Sequence, residues 1–306
     1  MSEAHAVPDA AVIIPAYNAG AWIRRTVETA ASPDAVRSVI VVDDGSPEPF
    51  GAALEGLRVD AEVLVHRKSN GGGASARNVG AELFLERGHE WAVLLDHDDE
   101  LAPEVTDALR VGEQTGAALV VSEREEFAAD GWRRTKRRRA HIPVGEPIPF
   151  GAIHEPMAIW TATGLAVHRR VFEAGCRFDT SLSICDDIDF MRRAGRADVG
   201  PLVVSDAIAL RRRVHRDGKN LSGWRTLARR VDEVLEIDRR WHEPDFDAGF
   251  RETATWLFGQ VLKRRVRGPA ADQLADRFAE RNWALPVKTR ARYAWHRLVG
   301  RSSLAD

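Results

Sequence analysis

The sequence is short of several features, and each shortage removes a class of protein. No apolar run approaches the ~18 residues that a membrane-crossing helix requires. The first eight residues carry Glu3 and no basic stretch, so they do not read as a secretory leader. Only two cysteines occur, Cys176 and Cys185. Their spacing fits neither a CxxC redox pair nor a zinc knuckle, so reduced, buried thiols and a cytoplasmic location are expected. The Lys-Ser/Thr pair of a P-loop is missing after the glycine run Gly71-Gly72-Gly73. No Ser/His/Asp arrangement that would signal a covalent nucleophile is legible. No internal repeat is present.

What remains is an ordinary globular composition, 44% hydrophobic and 29% charged over 306 residues. The net charge of -2 hides an asymmetry. Residues 1–210 hold 22 basic and 33 acidic side chains, whereas residues 211–306 hold 22 basic and 13 acidic. Such a split suggests two functional zones.

The first zone alternates strands and helices. Apolar, β-branched runs at 11–15, 38–42, 61–65, 91–95 and 117–122 read as strands. Residues 21–31, 74–87 and 103–114 read as helices between them. That rhythm implies βαβ units and an α/β fold with a mainly parallel, doubly wound sheet. Beyond Ser122 the alternation weakens. Asp130-Gly131 reads as a hairpin turn, and residues 171–175 and 188–194 as helical pieces. From Ser222 onward the pattern is helical, with breaks at Pro244, Gly268-Pro269 and Pro286.

The chemistry concentrates in four ordered segments. Asp43-Asp44-Gly45 ends a strand, where open α/β sheets bind ligands. Carboxylates there can hold ribose hydroxyls or base N–H groups, or simply cap a turn. Gly71-Gly72-Gly73 opens a helix that contains Arg77, a setting that offers backbone N–H groups and a planar cation to an anion. Asp96, Asp98 and Asp99 crowd three carboxylates after a buried strand, which calls for a cation or donors. Mg2+ or Mn2+ takes such oxygens, with substrate phosphates as further ligands. Asp186, Asp187 and Asp189 precede a helix, as a general base or as a dipole-favoured cluster.

In order and content these segments resemble the inverting, nucleotide-sugar-dependent glycosyltransferases of family 2. The resemblance rests on Val12 to Asn18, Val41 to Ser46, Asn70 to Gly72 with Ala76 to Gly80, Leu95 to Asp99, and Arg169 to Asp189. It covers roughly residues 10–220 and implies the GT-A fold, Rossmann-like with a mainly parallel central sheet flanked by helices, over 1–220 (donor half about 10–122, acceptor half about 123–220). A helical C-terminal region would follow over 221–306. By the same resemblance Pro15, Ala16, Tyr17, Asn18, Asp43, Asp44, Gly72, Arg77, Asp96, Asp98 and Asp186 would bind the nucleotide sugar. Asp98, Asp99 and the late His215 would serve the metal, and Asp187 would be the catalytic base. Where the family has Glu-Asp, this sequence has Asp186-Asp187. The Gln-x-x-Arg-Trp motif of processive members and membrane-spanning helices are both absent, which favours transfer of a single sugar; the resemblance implies glycosylation of a cell-surface glycan, glycolipid or secondary metabolite.

The expected donor is a UDP-sugar, with GDP or dTDP as alternatives; the acceptor hydroxyl is open. Two rival readings are a nucleotide-sugar-binding protein without activity and a sugar nucleotidylyltransferase. The second would need a Gly-rich loop with Arg and Lys after the first strand, where Ala16 to Gly20 stand instead. Arg133 to Arg139 reads as a solvated flap or as a grip on an anionic acceptor or membrane. Nucleic acid is not an expected partner, because no aromatic stacking platform accompanies the run. Val287, Ala291, Ala294, Trp295 and Leu298 recur at helical spacing. They suit a helix packed on the catalytic domain or an interfacial helix on the inner face of an anionic membrane.

Overall fold

The computed structural model describes residues 7–136, 143–148, 161–215, 226–241, 244–264, 266 and 269–302. They divide into two compact units, one up to Val214 and one from His215 onward. Arg137, Arg138, Arg139, Asn220 and Trp224 lie outside the described residues.

The first unit is built on a nine-stranded sheet. In chain order its strands are β1 (Ala10–Ala16), β2 (Val36–Asp43), β3 (Glu62–Arg67), β4 (Trp91–Leu94), β5 (Glu100–Leu101), β6 (Leu119–Phe127), β7 (Arg133–Lys136), β8 (Leu165–His168) and β9 (Leu202–Arg213). They run β3-β2-β1-β4-β8-β6-β9-β5, with β7 paired to β6. The helices are α1 (Ile23–Ala30), α2 (Gly51–Leu54), α3 (Gly73–Arg87), α4 (Val105–Thr115), α5 (Arg169–Glu173) and α6 (Asp186–Ala197).

β1 to β4 are mutually parallel, and every residue of β1 and β4 is buried. A strand covered on both faces must be apolar throughout, which is why these runs were legible. The register sets Ala16 opposite Asp43 and Asp43 opposite Arg67, so β1, β2 and β3 deliver their last residues to one edge. α3 lies close on this sheet: a methyl group added at Gly80 would stand 2.3 Å from Ile13 Cγ2.

Past β4 the sheet departs from simple alternation. β8 is antiparallel to both β4 and β6, and β9 is parallel to β6. β6 continues to Phe127, five residues past the expected end, and turns through Asp130-Gly131 into β7. β5, β8 and β9 have no counterpart among the expected strands. β5 and β8 have two and four residues, too few for a period, and β9 carries Ser205, Asp206 and three arginines. Its charged half is held by pairing, with Arg211 opposite Glu125 and Arg212 opposite Glu126.

The second unit contains α7 (Leu227–Arg240), α8 (Pro244–Lys263), α9 (Ala270–Glu280) and α10 (Val287–Ser302). Pro244 opens α8, while Pro269 and Pro286 stand just before α9 and α10, as befits a residue that starts helices better than it continues them. Phe258 packs with Phe278 and Tyr293, at ring distances of 6.0 and 5.3 Å. Asp238 accepts hydrogen bonds from Arg277 and Arg281. Val287, Ala291 and Ala294 are exposed, so the stripe read in α10 is not its packed side there. Tyr293 supplies the contact instead; the side chains of Trp295 and Leu298 lie outside the described set. Among the described residues no helix is long and apolar enough to cross a membrane. Cys176 and Cys185 are buried thiols outside any disulfide, as expected.

Candidate active site

Asp43 and Asp44 leave β2 side by side and turn to different partners. Asp43 accepts from the Ser46 N–H at 2.9 Å and from Arg67 at 2.8 Å. Asp44 accepts from Lys68 Nζ at 2.6 Å, the Gly71 N–H at 2.9 Å and the Gly72 N–H at 2.7 Å. A carboxylate offers about four acceptor sites, so three of Asp44's are spent on bracing the glycine loop. Between the two segments the chain passes so closely that a Cβ on Gly45 would lie 2.7 Å from Asn70 N, and Gly45 also takes a φ of 72°. Glycine is the residue that meets both demands.

The end of β1 faces this loop. Ala16 C=O accepts from the Asp44 N–H at 2.8 Å, and the Asn18 N–H donates to Ser46 Oγ at 2.9 Å. Asn18 has a φ of 52°, a region asparagine tolerates better than most residues. That turn leaves Tyr17 47% exposed beside the loop.

In the second acidic loop the three aspartates occupy different environments. Asp99 is 2% exposed, with Oδ1 accepting from the Arg213 N–H at 2.7 Å and Oδ2 from Thr163 Oγ1 at 2.9 Å. Burial, then the charges of Asp96 and Asp98, push its carboxyl well above the ordinary range. Asp96 is half-exposed and accepts from Arg77, and Asp98 is half-buried. Arg213 clamps the loop from β9. Its Nε donates to Asp98 C=O at 2.9 Å, and its guanidinium lies 4.4 Å from the Trp22 ring and 4.5 Å from that of Phe127.

Arg77, on α3, joins the strand-end acids to those of α6. Nη1 donates to Asp186 Oδ2 at 2.7 Å and Nη2 to Asp96 Oδ1 at 2.9 Å. Burial alone would lower the Arg77 pKa, but the charges of Asp186 and Asp96 outweigh it and hold the pKa raised. Burial lifts the Asp186 carboxyl above its usual range, and Arg77 opposes the rise. The Phe178 ring lies 5.5 Å from the guanidinium. Asp187 follows in the first turn of α6, half-buried, with Oδ1 accepting from the Ile188 N–H at 2.8 Å. Asp189 is buried and held by Arg193. His215 falls in the second unit. Lys68 and Thr163 fall in no segment that the sequence singled out, whereas Phe178 lies inside the Arg169 to Asp189 segment and Arg213 two residues before His215, neither with a role assigned to it.

A Ser/His/Asp chain does exist: Ser38 Oγ lies 2.6 Å from His89 Nε2, and His89 Nδ1 2.8 Å from Asp9 Oδ1. The sequence hides it because its members are 29 and 51 positions apart or on separate elements. Ser38 is only 1% exposed, so this serine is inaccessible to substrate. The chain satisfies a buried hydroxyl.

Among the described residues no group of three or more His, Cys, Asp and Glu side chains is arranged to hold a metal ion. Asp96 and Asp98 of the second loop are partly exposed, while Asp99 is enclosed with both oxygens engaged. Mg2+ typically uses one or two carboxylates and takes its other ligands from water and phosphate. The donor set therefore fits an ion brought with a phosphorylated ligand, not a closed protein cage.

Known proteins extend the picture. The succinoglycan biosynthesis protein ExoO of Rhizobium meliloti is 26% identical, over 97% of this chain and 90% of its own length. Polyprenol monophosphomannose synthase of Mycolicibacterium smegmatis is 33% identical over 37% of this chain and 44% of its own. Among solved structures, the mannosyltransferase PcManGT of Pyrobaculum calidifontis, in complex with GDP-Man and Mn2+, superposes with a TM-score of 0.62 at 17% identity, over 99% of this chain and 88% of its own. TarS of S. aureus, in complex with UDP-GlcNAc, gives 0.60 at 16% identity, over 95% and 87%. The fold is therefore that of the GT-A glycosyltransferases. The description of glycosyl transferase family 2 matches residues 11–175, more than half of the chain, and the protein belongs to that family of glycosyltransferases.

Proposed function

We propose that the enzyme moves one sugar from a nucleoside diphosphate sugar to an acceptor hydroxyl in a single inverting displacement, with Asp187 as the general base. The observation that carries this reading is the reach of Arg77 to Asp96 at 2.9 Å and Asp186 at 2.7 Å. One guanidinium thereby ties the strand-end acids to the residue beside Asp187.

Roles follow from position. The nucleobase lies against Pro15, Ala16, Tyr17 and Asn18, with the exposed Tyr17 ring as its platform. Asp43 and Asp44 act through the loop they brace, and Gly72 keeps that loop close to the donor. Asp96 and Asp98 face the ribose and diphosphate. A bound Mg2+ or Mn2+, held by Asp98 with Asp96, would stabilise the charge that develops on the departing diphosphate. Asp99 holds the loop in place through Arg213 and Thr163. Asp187 takes the proton from the acceptor hydroxyl as its oxygen attacks the anomeric carbon from the face opposite the diphosphate. Only one displacement occurs, so configuration inverts and no enzyme nucleophile is needed.

The donor class is supported by the UDP-GlcNAc complex of TarS and the GDP-Man complex of PcManGT, and a glycan-building setting by ExoO. We take UDP-sugars first, then GDP- and dTDP-sugars. Calorimetric titration with UDP, GDP and dTDP, with and without Mn2+, tests this directly. One nucleotide should bind, and more tightly with the ion; no binding by any of the three would remove the donor reading.

A further inference from the structure

The hairpin end of the sheet carries a second charged cluster. Glu126 on β6 stands opposite Arg134 on β7 and Arg212 on β9. Arg124 lies two residues before Glu126 on the same strand, so all four share one face. Arg134 approaches Glu126 to 2.6 Å, Arg124 to 3.5 Å and Arg212 to 3.9 Å. Three guanidinium groups thus gather on one carboxylate. The opposite face is better balanced: there Arg133, Arg211 and Arg213 meet Glu125, Glu100 and the rings of Trp22 and Phe127.

The cluster is not a freely solvated one. The Arg124 side chain is 11% exposed, and its Nε is buried with no hydrogen-bond partner among the described residues. Burial and the neighbouring Arg212 lower the Arg124 pKa, while Glu126 and Asp99 oppose the shift. With three guanidinium groups on the Glu126 carboxylate, the cluster favours a further anion. Arg134, by contrast, is 57% exposed and leaves an open side. The cluster also adjoins the second acidic loop, since the next residue after Arg212 donates from its backbone to Asp99 at 2.7 Å.

We propose that Arg124, Arg134 and Arg212 form an anion site for a phosphate or diphosphate group carried by the acceptor, distinct from the site of the donor's diphosphate. The proposal rests on the transferase reading above and gives its acceptor a chemical class. Guanidinium groups suit this ligand because each presents paired N–H donors to two phosphate oxygens. Glu126 holds the three arginines together until the anion arrives.

The test uses the full chain, saturated with the nucleoside diphosphate found by calorimetry, in metal-free buffer. Inorganic pyrophosphate is the first probe. It should bind the wild-type protein, and Arg124→Gln/Arg212→Gln should weaken it by about tenfold or more, with nucleotide affinity unchanged. Arg133→Gln, on the other face, should change neither. If the double variant does not fold, the exposed Arg134→Gln replaces it, with the same expectation. Phosphatidylglycerol vesicles are the second probe. Co-sedimentation that the variants lose assigns the anion to a lipid headgroup; pyrophosphate binding without co-sedimentation assigns it to a phosphate free of the bilayer, and either result supports the site. Pyrophosphate binding that saturating nucleotide abolishes, that survives the substitutions, or that is absent together with vesicle binding would overturn it. Nucleotide binding is measured separately, so a failed donor reading is distinguishable from a failed anion site.

Discussion

Arg77 Nη1 lies 2.7 Å from Asp186 Oδ2 across 109 positions of sequence, while Nη2 of the same guanidinium holds Asp96. Both members of the Arg77–Asp186 pair are largely buried, at 12% and 10% side-chain exposure. Arg77→Met would leave Asp186 without its cation and cost about 3 kcal/mol of stability, read by urea unfolding. Arg77→Lys keeps a charge but loses the planar fork. It should fold, bind nucleotide with near-normal affinity, and transfer sugar about tenfold or more slowly, because a small misplacement of the base is costly. Unchanged turnover in Arg77→Lys would show that the guanidinium positions nothing.

The contact between α3 and β1 should be unforgiving. An alanine at Gly80 would press its methyl to 2.3 Å from Ile13 Cγ2, within a fully buried strand. Gly80→Ala should destabilise the first unit by about 1–3 kcal/mol, despite alanine's better helix propensity. A variant as stable as wild type in thermal unfolding would mean that the helix shifts freely.

The Ser38–His89–Asp9 chain should matter for folding and not for transfer. Removing the imidazole in His89→Ala leaves the buried Ser38 hydroxyl without its partner, a loss of about 1–3 kcal/mol. Nucleotide affinity and turnover of the folded variant should match wild type. Abolished turnover with unchanged stability would reopen a catalytic role for this serine.

His168 supplies a pH dependence with a definite sign. Burial, then Arg170, lowers its pKa from the model-peptide value of 6.5. The native state therefore favours the neutral ring, so its contribution is present above about pH 6.5 and is lost as pH falls through the lower native value. Its Nδ1 accepts from the Arg170 N–H at 3.3 Å, a capping contact that asparagine could keep. Between about pH 7.5 and pH 5, wild type should lose more stability than His168→Asn. Parallel losses in urea titrations would refute the assignment.

Much of the donor half was legible because its chemistry is local. β1, β4 and residues 39–42 of β2 are continuous apolar runs, and Asp43-Asp44 and Asp96 to Asp99 follow two of them. Their partners were not legible. Thr163 reaches Asp99 across 64 positions and Arg213 across 114, contacts that no spacing rule anticipates. Asp44 looked from sequence like a ligand-facing acid, whereas its oxygens are largely engaged by the Lys68 ammonium and the Gly71 and Gly72 amides. Such roles depend on which neighbour occupies an oxygen, and that is decided by tertiary packing.

The central claim is that Asp187 is the base of an inverting displacement, and water can stand in for the acceptor. With the nucleotide sugar chosen by calorimetry, proton NMR at early times would record which anomer is released and how fast. The account predicts first release of the anomer opposite to the donor's. It also predicts a rate in Asp187→Asn lower by ~10²–10⁴-fold, with nucleotide affinity unchanged. Release of the donor's own anomer, or near-normal turnover in Asp187→Asn, would contradict it.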